Sequence, residues 1–487
     1  MDEYGEGKNT KKALYILTIA ISIVIGIILG IWQINPPTLP REGSIESLVY
    51  QRMMTNIQRL AVEPHPSGSI EIEFVRSELI SEIEDMGLIP IIQKVEYTVL
   101  DFLDITARIR GYSTREEMWE DNRERININY PDIQNLEELF RIQNPDLAEG
   151  LLLQNILVKL DAPGTEQGIM FVAHYDSVPE GPGAADAMVA VCAMLEAMRM
   201  YSHNESLTND IYFLFTDGEE RGLLGAWAFV EEFNELKDKI DMVINLEARG
   251  NRGGLILFET SPQAYPLINT VVNSDAKIIG FSWAVEIYRM MPNDTDLTAF
   301  LSKGYNGINF AVIGGVEHYH QPTDTFENLN QKSAWHYLQT TLAITDFAVN
   351  NSMCALNQAP SEAVFFPFIP GNLVLMNIIV SQILYALICV LVVFYFAFII
   401  KNKTIRISIS TIFIGLLLVL SFVSSVIFAT GAYLFYIPLL CVTATASLKG
   451  WKTAYITALN LTSIIALMLW VPVVYLLWVS LVQPMLL

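Results

Sequence analysis

The sequence predicts an α/β domain with a mixed, largely parallel sheet and helices on both faces, joined to an α-helical transmembrane region. Three observations support this prediction. Hydrophobic residues make up 52% of the 487 residues and charged residues only 17%, a composition too apolar for a wholly soluble protein. Long uncharged runs occur towards both ends of the chain. Between them, apolar runs of strand length alternate with helical patterns.

The first long apolar run lies near the N-terminus. Residues 13–32 contain no charged side chain, and the run has the length that an α-helix needs to cross about 30 Å of hydrocarbon. It is longer than the usual core of a cleaved signal peptide, about 7 to 15 residues, and no small-residue cleavage pattern follows it. The sequence therefore predicts a cytoplasmic tail over residues 1–12 and an uncleaved transmembrane signal anchor over residues 13–33.

Four further apolar runs follow in the C-terminal part of the chain, near residues 374–400, 408–429, 431–447 and 453–480. They predict a membrane domain over residues 371–487 with about four transmembrane helices. Basic residues gather at 8–12, 401–406 and 449–452, and short basic loops usually face the cytoplasm. This rule puts the N-terminus inside and residues 34–370 outside. The same topology suits a bacterial cell membrane and a eukaryotic secretory or vacuolar membrane.

The predicted outer domain, residues 34–370, is strongly acidic. It carries 49 of the 52 acidic residues and 22 of the 30 basic residues, which gives a net charge of −27. Such a charge repels polyanions and argues against nucleic acid as a partner, whereas metal ions and cationic ligands are compatible with it. The region is also long enough to bury one large core.

Five apolar runs in this domain are continuous rather than alternating, as expected for strands whose sheet is covered on both faces. They lie at residues 169–173, 211–215, 242–246, 255–258 and 307–313. Helical patterns at 189–200 and 222–234 separate the first three runs, which predicts the alternating order of an α/β domain. Residues 99–150 are rich in Glu, Arg and Asn. They are predicted to be an insertion with a helix near 136–142, in a position to lie over the site.

Side chains able to bind metal ions follow four of these strands. The first strand is followed by His174 and Asp176, the second by Asp217, Glu219 and Glu220, the third by Glu247, and the last by His318, His320 and Asp324. Each alone is more typical of a solvated turn or an internal salt bridge. Functional groups of α/β domains gather at the carboxyl ends of strands, so four such ends in succession favour a metal site. Two adjacent glutamates can have different roles at a metal site, because one can coordinate a metal ion while the other accepts a proton from water.

Four motifs occur in order between about residues 155 and 330, and they are AHYDSVPEGPGAAD, TDGEERGLLGA, NLEARG and YHQPTDT. In order and spacing they resemble the co-catalytic di-zinc exopeptidases, which include secreted bacterial aminopeptidases, glutamate carboxypeptidase II and glutaminyl cyclase. Within that family they are most similar to the multi-pass membrane branch, the endoplasmic-reticulum metallopeptidases and the vacuolar membrane proteases. The resemblance therefore implies a peptidase.

The resemblance implies two Zn²⁺ ions per chain. The metal ligands that it implies are His174, Asp186, Glu220, Glu247 and His320. Asp186 would bridge both ions. His174 and Glu247 would complete the first site, and Glu220 with His320 would complete the second. Nitrogen and oxygen ligands of this kind are chemically suited to zinc.

The resemblance also implies two catalytic residues, Glu219 as the general base and Asp176 as the group that orients His174. The implied protein is a membrane-anchored zinc metallopeptidase, which hydrolyses a terminal bond of a peptide substrate with metal-activated water. The acidic field, with Asp294 and Asp296, favours recognition of a free α-amino group and hence an aminopeptidase. Those two aspartates alternatively solvate a loop.

Ala187 departs from the family pattern. The family usually carries a second Asp or Asn, across a cis peptide bond, directly after the bridging aspartate. The alternative is therefore a catalytically silent homologue that binds peptides at the membrane. A transport path through the C-terminal region is disfavoured, because residues 374–487 contain no Asp, Glu or His and ionisable groups usually mark such paths.

Overall fold

The computed structural model of the chain describes residues 3–143, 150–165, 167–352, 359–369, 371–401, 409–427, 429–447 and 452–479. The strands are β1 Ile91–Tyr97, β2 Leu151–Leu160, β3 Gly168–His174, β4 Asp210–Thr216, β5 Ile240–Ala248, β6 Arg252–Thr260, β7 Ile279–Gly280, β8 Gly307–Gly314, β9 Ala363–Ile369 and β10 Asn372–Asn377.

The helices that precede β9 are α1 Glu3–Gln33, α2 Ile45–Leu60, α3 Ile70–Asp85, α4 Val99–Ile109, α5 Arg115–Asn129, α6 Leu136–Gln143, α7 Val189–Tyr201, α8 Leu224–Glu232, α9 Tyr265–Val272, α10 Ser282–Tyr288, α11 Asp296–Ser302 and α12 Gln331–Asn350. Four more follow, and they are α13 Ile378–Lys401, α14 Ile409–Ile427, α15 Tyr433–Ser447 and α16 Lys452–Leu477.

Eight strands form one mixed sheet in the order β1-β2-β4-β3-β5-β8-β6-β7. The central strands β4, β3, β5 and β8 are parallel to their neighbours within this group. The β1–β2, β2–β4 and β6–β8 pairs are antiparallel, and the short β7 is parallel to β6. The predicted fold class, a mixed and largely parallel sheet with helices, is confirmed.

Helices cover both faces of this sheet, which explains why its central strands read as continuously apolar. Along β3, Phe171 contributes to an apolar cluster that also contains residues of α2, α3, α7 and α12. Met170 and Val172 contribute to a second cluster with residues of α8 and α11. Successive side chains of a strand point to opposite faces, so each face of β3 needs apolar residues.

The insertion between β1 and β2 is helical in its described part. It contains α4, α5 and α6, and α6 confirms the helix expected near residues 136–142. Phe102 of α4 joins the apolar cluster of α8 and α11, and Arg108 forms an ion pair of 2.9 Å with Glu231 of α8. The insertion is therefore attached to the α8 side of the sheet.

A β-hairpin precedes the C-terminal helices. β9 and β10 pair antiparallel, with Leu375 opposite Phe365. The first C-terminal helix was expected to begin near residue 374, and this expectation is wrong, because residues 372–377 are a strand and the helix begins at Ile378. A short apolar run fits a strand as well as a helix, so its hydrophobicity alone could not separate the two.

Three helical segments in the described part of the chain are long and apolar enough to cross a membrane. They are Ala13–Gln33, Ala429–Ser447 and Tyr455–Leu477. Shorter apolar segments lie at Ile378–Phe394 and Ile414–Ser425. Large apolar side chains on these helices are exposed, among them Ile16 and Phe394, as expected of surfaces that face lipid. The number of spans stays a prediction, and basic positions 403, 406 and 449 lie outside the described residues.

The first helix packs closely against the last. A Cβ atom at Gly26 would lie 2.8 Å from Cβ of Leu467, and one at Gly30 would lie 2.7 Å from Cβ of Val471. Both distances are shorter than a normal contact, so only glycine allows this approach. Small residues four positions apart are a frequent means of close packing between membrane helices. The N-terminal helix is therefore joined to the C-terminal helical region.

Candidate metal centre

The sheet brings the predicted site residues to one edge. Because β4, β3, β5 and β8 are parallel neighbours, their carboxyl ends meet there. His174 is the last residue of β3, and Glu247 lies near the end of β5. Glu219 and Glu220 follow β4, and His320 lies in the loop after β8. Residues far apart in the sequence thus become neighbours.

Asp186 lies between the two histidines. Its Oδ1 atom is 3.3 Å from Nε2 of His174, and its Oδ2 atom is 3.3 Å from Nε2 of His320. The loop between β3 and α7 carries this aspartate, which is buried. One carboxylate therefore presents a separate oxygen to each imidazole.

The other two proposed ligands complete the arrangement. Nε2 of His320 lies 3.2 Å from Oε2 of Glu220, and Nε2 of His174 lies 3.6 Å from Oε2 of Glu247. Ligand atoms that bind one tetrahedral zinc at about 2.0 to 2.1 Å lie about 3.3 Å from one another. Ligand atoms of His174, Asp186 and Glu220 also lie within 4.8 Å of one another. These separations fit two zinc sites that share Asp186.

Two atoms of this cluster also fit a cation. Oε1 of Glu220 and Nε2 of His320 are buried without a hydrogen-bond partner among the described residues. Nε2 of His320 therefore lies close to Glu220 without the angle that a hydrogen bond requires. His320 has a left-handed backbone, with φ of 55°, which is uncommon outside glycine and clusters at functional sites. A metal ion would satisfy both buried atoms.

The surrounding charges act on both histidines. Burial opposes the charged form of His174, but its contacts with Asp176, Asp186 and Glu247 raise its pKa well above the ordinary value. Burial likewise opposes the charged form of His320, but its contacts with Asp186 and Glu220 raise its pKa to about 10. The cluster therefore attracts positive charge, which protons or metal ions can supply.

Asp176 supports the site through the main chain. Its carboxylate accepts hydrogen bonds from the backbone N–H groups of Glu219 at 3.1 Å and Glu220 at 3.2 Å. Nδ1 of His174 donates to the backbone carbonyl of Asp176 at 2.9 Å, and the carboxylate Oδ1 is farther from it, at 3.6 Å. The expected contact between Asp176 and His174 is therefore made by the carbonyl, while the carboxylate holds the two glutamates.

Glu219 lines a cavity of about 320 Å³ together with Asp186 and Glu247. Burial, followed by the charge of the nearby Glu247, raises the pKa of Glu219 well above the ordinary value for glutamic acid. No residue of the insertion 99–150 lines this cavity in the part of the chain that the structure describes. The expectation that the insertion lies over the site therefore receives no support from the cavity lining.

Asp324 is a site residue to which the sequence analysis gave no role. Its carboxylate accepts hydrogen bonds from the backbone N–H groups of Ala185 at 3.0 Å and Asp186 at 3.2 Å. Its own carbonyl accepts one from Ala184 at 3.1 Å. Asp324 ends the YHQPTD segment of the fourth motif, so its position in that motif was the available signal. The peptide bond between Asp186 and Ala187 is cis.

A line of polar side chains holds Glu247. Its Oε1 atom accepts a hydrogen bond from Asn245 at 3.2 Å, and Asn245 also donates to Oδ1 of Asn309 at 3.2 Å. Asn309 in turn donates to Glu259 at 2.9 Å and Thr295 at 2.7 Å. These contacts cross β5, β8 and β6, and no local motif in the sequence indicates them.

The acidic segment before α11 divides between two environments. Asp294 lines the cavity, whereas Asp296 is fully buried and accepts a hydrogen bond from Thr216. Burial, followed by the charge of Glu247, raises the pKa of Asp296 to about 7. Asp294 is therefore in a better position than Asp296 to lie near a substrate.

Part of this chain is similar to known proteins. Residues 155–345 match the model of peptidase family M28. A vacuolar membrane protease of Saccharomyces cerevisiae is 31% identical over 218 residues, which cover 44% of this chain and 22% of that protein. One of Candida dubliniensis is 25% identical over 352 residues, which cover 70% of this chain and 33% of that protein. The matches thus span between about a fifth and a third of these relatives.

Solved structures also overlap part of this chain. An aminopeptidase from Aneurinibacillus sp. strain AM-1 has a TM-score of 0.44 and 13% identity, covering 62% of this chain and 96% of that chain. A glutaminyl cyclase from Porphyromonas gingivalis has a TM-score of 0.44 and 16% identity, covering 61% of this chain and 97% of that chain.

The matched segment holds all seven predicted site residues, from His174 to His320. It also contains the four motifs that suggested the family from the sequence. Residues 155–345 of this chain therefore match a peptidase family M28 domain.

Proposed function

We propose that this protein is a membrane-anchored zinc metallopeptidase that hydrolyses terminal peptide bonds as an aminopeptidase. The observation that carries the proposal is the position of Asp186, whose two carboxylate oxygens each lie 3.3 Å from a different histidine nitrogen. A carboxylate in this position suits a bridge between two metal ions. The M28 match over residues 155–345 supports the same reaction class.

His174 and Glu247 would hold one zinc, and Glu220 and His320 the other, with Asp186 shared between them. Bound zinc ions supply Lewis acidity, which activates water and stabilises negative charge on the carbonyl oxygen in the transition state. The unpartnered atoms of Glu220 and His320 and the separations near 3.3 Å support this ligand set. Asp176 would act as a positioning residue, because its carboxylate holds the backbone of Glu219 and Glu220.

Glu219 would act as the general base. It accepts a proton from the attacking water while the water oxygen forms a bond to the scissile carbonyl carbon. Glu219 then returns that proton to the departing amine as the C–N bond breaks. Its position in the cavity and its raised pKa suit both steps, because a raised pKa makes the carboxylate a stronger base towards water and keeps the proton on the carboxyl group until the amine departs.

Specificity for a free α-amino group is supported by the charges of the cavity. Its lining contains the carboxylates of Asp186, Glu219, Glu247 and Asp294, and Arg249 is the one basic residue among its lining residues in the described part of the chain. Asp186 and Glu247 are assigned to the zinc ions and Glu219 to proton transfer, so Asp294 is left to attract an ammonium group by Coulomb energy.

The chain would be an integral, multi-pass protein with the N-terminus in the cytoplasm and residues 34–370 outside. The apolar helices support membrane insertion, and the basic positions of the sequence support this orientation. Single cysteines at positions 180 and 403, in a chain free of other accessible cysteines, test it. A membrane-impermeant thiol reagent applied to intact cells should label position 180 and not 403, and the reverse pattern would refute the orientation.

The experiment that tests the activity uses the full chain, purified in detergent and loaded with zinc. It is incubated with peptides that have free ends, an acetylated N-terminus or an amidated C-terminus. An aminopeptidase cleaves the free and amidated peptides and spares the acetylated ones. Cleavage of acetylated but not amidated peptides would indicate a carboxypeptidase. No cleavage of any peptide, with zinc bound, would favour the silent peptide-binding homologue.

A further inference from the structure

The cavity beside the candidate metal centre has two chemically different sets of lining residues. One set is acidic and includes Asp186, Glu219 and Glu247. The other set is apolar and includes Leu476 and Leu477, the last two residues of α16. A substrate whose scissile carbonyl lies at Glu219 therefore occupies a cavity that a helix of the C-terminal region also lines.

The C-terminal end of α16 packs closely against the outer domain. A Cβ atom at Gly314, the last residue of β8, would lie 2.9 Å from the hydroxyl oxygen of Tyr475. Leu476 is buried in one apolar cluster with Trp283 of α10 and Phe366 of β9. The position of the two leucines is thus fixed by contacts with the same sheet that carries the metal centre.

A second part of the cavity lining, formed by α10, is attached to the C-terminal region as well. Trp283, Ala284 and Ile287 of α10 line the cavity. The hydroxyl of Ser282, the first residue of α10, donates to the carbonyl of Thr430 at 2.7 Å, and Thr430 donates to Glu286 at 2.7 Å. Two parts of the cavity lining therefore depend on contacts between the outer domain and apolar helices.

The apolar set of lining residues is large. It also contains Phe258, Ile287, Met291 and Trp283. All of these except Met291 belong to one apolar cluster with Leu476 and Leu477. The whole cavity, about 320 Å³, lies near the lower limit of about 300 Å³ for sites that enclose small molecules. It has room for one terminal residue and its α-amino group, and its apolar lining favours an apolar side chain over a polar one.

We propose that the end of α16 forms part of the substrate pocket, so that the C-terminal helical region selects peptides with a large apolar terminal residue. This inference rests on the proposed peptidase activity and specifies its substrate class. Because α16 contains the candidate span Tyr455–Leu477, the pocket lies where that span meets the outer domain. Leu476 and Leu477 are specificity-determining residues in this arrangement.

The test measures kcat/KM of the zinc-loaded full chain, in detergent, on leucyl, phenylalanyl, alanyl and glycyl coumarylamides. We expect kcat/KM for the leucyl or phenylalanyl substrate to exceed kcat/KM for the glycyl substrate by at least about tenfold. The reason is that each group that fills an apolar pocket improves transition-state binding. Leu477→Ala should reduce this ratio severalfold. Val474→Ala is the matched control on the same helix, since Val474 is 63% exposed and lies outside the cavity lining, and it should leave the ratio unchanged.

A second variant covers the case in which Leu477→Ala unfolds the protein. Ala284 belongs to the same apolar cluster as Leu476 and Leu477, so Ala284→Trp adds bulk to the apolar lining of the cavity from α10. It should abolish cleavage of leucyl and phenylalanyl substrates while glycyl and alanyl substrates are still cleaved. An equal kcat/KM for all four substrates in the unmodified chain would overturn the inference. So would an unchanged ratio in both folded variants.

Binding of amino-acid amides separates this inference from the proposed function. L-phenylalaninamide should raise the Tm of the full chain more than glycinamide does, and Ala284→Trp should remove the difference. If no substrate is hydrolysed but this difference is observed, the peptidase proposal fails and the apolar pocket stands. If hydrolysis occurs without any preference for apolar residues, the peptidase proposal stands and the role of α16 is refuted.

Discussion

The carboxylate of Asp324 accepts a hydrogen bond of 3.2 Å from the backbone N–H of Asp186. This contact fixes the loop that carries the proposed bridging ligand from outside the loop itself. The residue after Asp186 is Ala187, where the resembling family usually has a carboxylate or an amide. Asp324 can therefore hold the loop without help from the side chain at position 187.

Asp324→Ala should weaken zinc binding by about 10- to 100-fold, the usual cost of removing a residue that supports a metal ligand. The reason is that two buried N–H groups, of Ala185 and Asp186, lose their acceptor. Asp324→Asn keeps an acceptor oxygen and should therefore weaken zinc binding less than Asp324→Ala does. Zinc affinity is measured by competition with a chelator, and equal affinities in the native chain and both variants would contradict the role of Asp324.

Ala187→Asp adds a carboxylate to the loop, whereas Asp324→Ala removes the one that holds it. Ala187 is 2% exposed, so an aspartate there buries another carboxylate beside an acidic cluster. We expect lower thermal stability and no gain in peptidase activity. A rise in activity would indicate that the loop does depend on a carboxylate at this position.

Asp186→Asn should remove at least one zinc ion per chain, because a neutral amide is a poor bridge between two cations. Glu180→Gln is the matched control, since Glu180 is exposed in the same connection between β3 and α7. It should retain the zinc content of the native chain, as determined by elemental analysis. Equal zinc content in the two variants would refute the bridge.

Asp217, in the acidic turn after β4, is not a suitable control for the zinc content of Asp186→Asn. It is buried and accepts hydrogen bonds from Ser67 at 2.8 Å and Arg76 at 3.1 Å. Its replacement would leave the guanidinium of Arg76 with a weaker partner in the interior, so that unfolding rather than metal loss would dominate.

Glu219→Gln should retain zinc and substrate affinity but lose about 10² to 10⁴-fold in kcat, since an amide cannot accept the proton of the attacking water. Glu220→Gln should instead lose zinc, because Oε2 of Glu220 lies against His320 in the proposed second site. Elemental analysis and kcat are measured on both variants. Loss of zinc in Glu219→Gln, or full activity in it, would contradict the assigned roles.

The metal-free chain should become less stable as the pH rises from 5 to 8. Burial, followed by the charge of Asp186, raises the pKa of Glu220 and that of Asp324 to about 7, above their ordinary values of 4.5 and 3.8. A carboxyl group whose pKa is raised on folding stabilises the protein while it is protonated, and this contribution disappears as the pH passes about 7.

Zinc should reverse this trend, because metal ions bind the ionised carboxylates and replace the protons. The measurement is Tm against pH in the presence of chelator or of zinc, with magnesium as the control ion. We expect zinc to raise Tm more at pH 8 than at pH 5, and magnesium to have a smaller effect. A Tm in chelator that is constant between pH 5 and pH 8 would contradict this account.

Gly30→Leu should separate α1 from α16, since even a Cβ atom at this position would lie 2.7 Å from Cβ of Val471. Overpacking of this kind costs about 1 to 3 kcal/mol. Val24→Leu is the control, because Val24 is 55% exposed on the same helix. Thermal denaturation in detergent should give a lower Tm for Gly30→Leu only, and equal Tm values would show that the close contact is dispensable.

The sequence by itself determined the fold class and predicted which residues form the candidate metal cluster. The four central strands are apolar on both faces, and such strands are recognisable from a short window of residues. Each is followed by polar groups at its carboxyl end, and the parallel order of the strands brings those groups together. His174, Glu220, Glu247 and His320 could therefore be found without coordinates, because their positions follow from local patterns and from topology.

The tertiary structure alone decided which groups support and enclose that cluster. Asp324 holds the Asp186 loop across 138 positions of sequence, and Asn245 reaches Asn309 across 64. No short window contains both partners of either contact. The end of α16 lines the cavity for the same reason, since its leucines are indistinguishable in sequence from others that face lipid. Their burial depends on the packing of a C-terminal helix against a distant sheet, and only the folded chain specifies it.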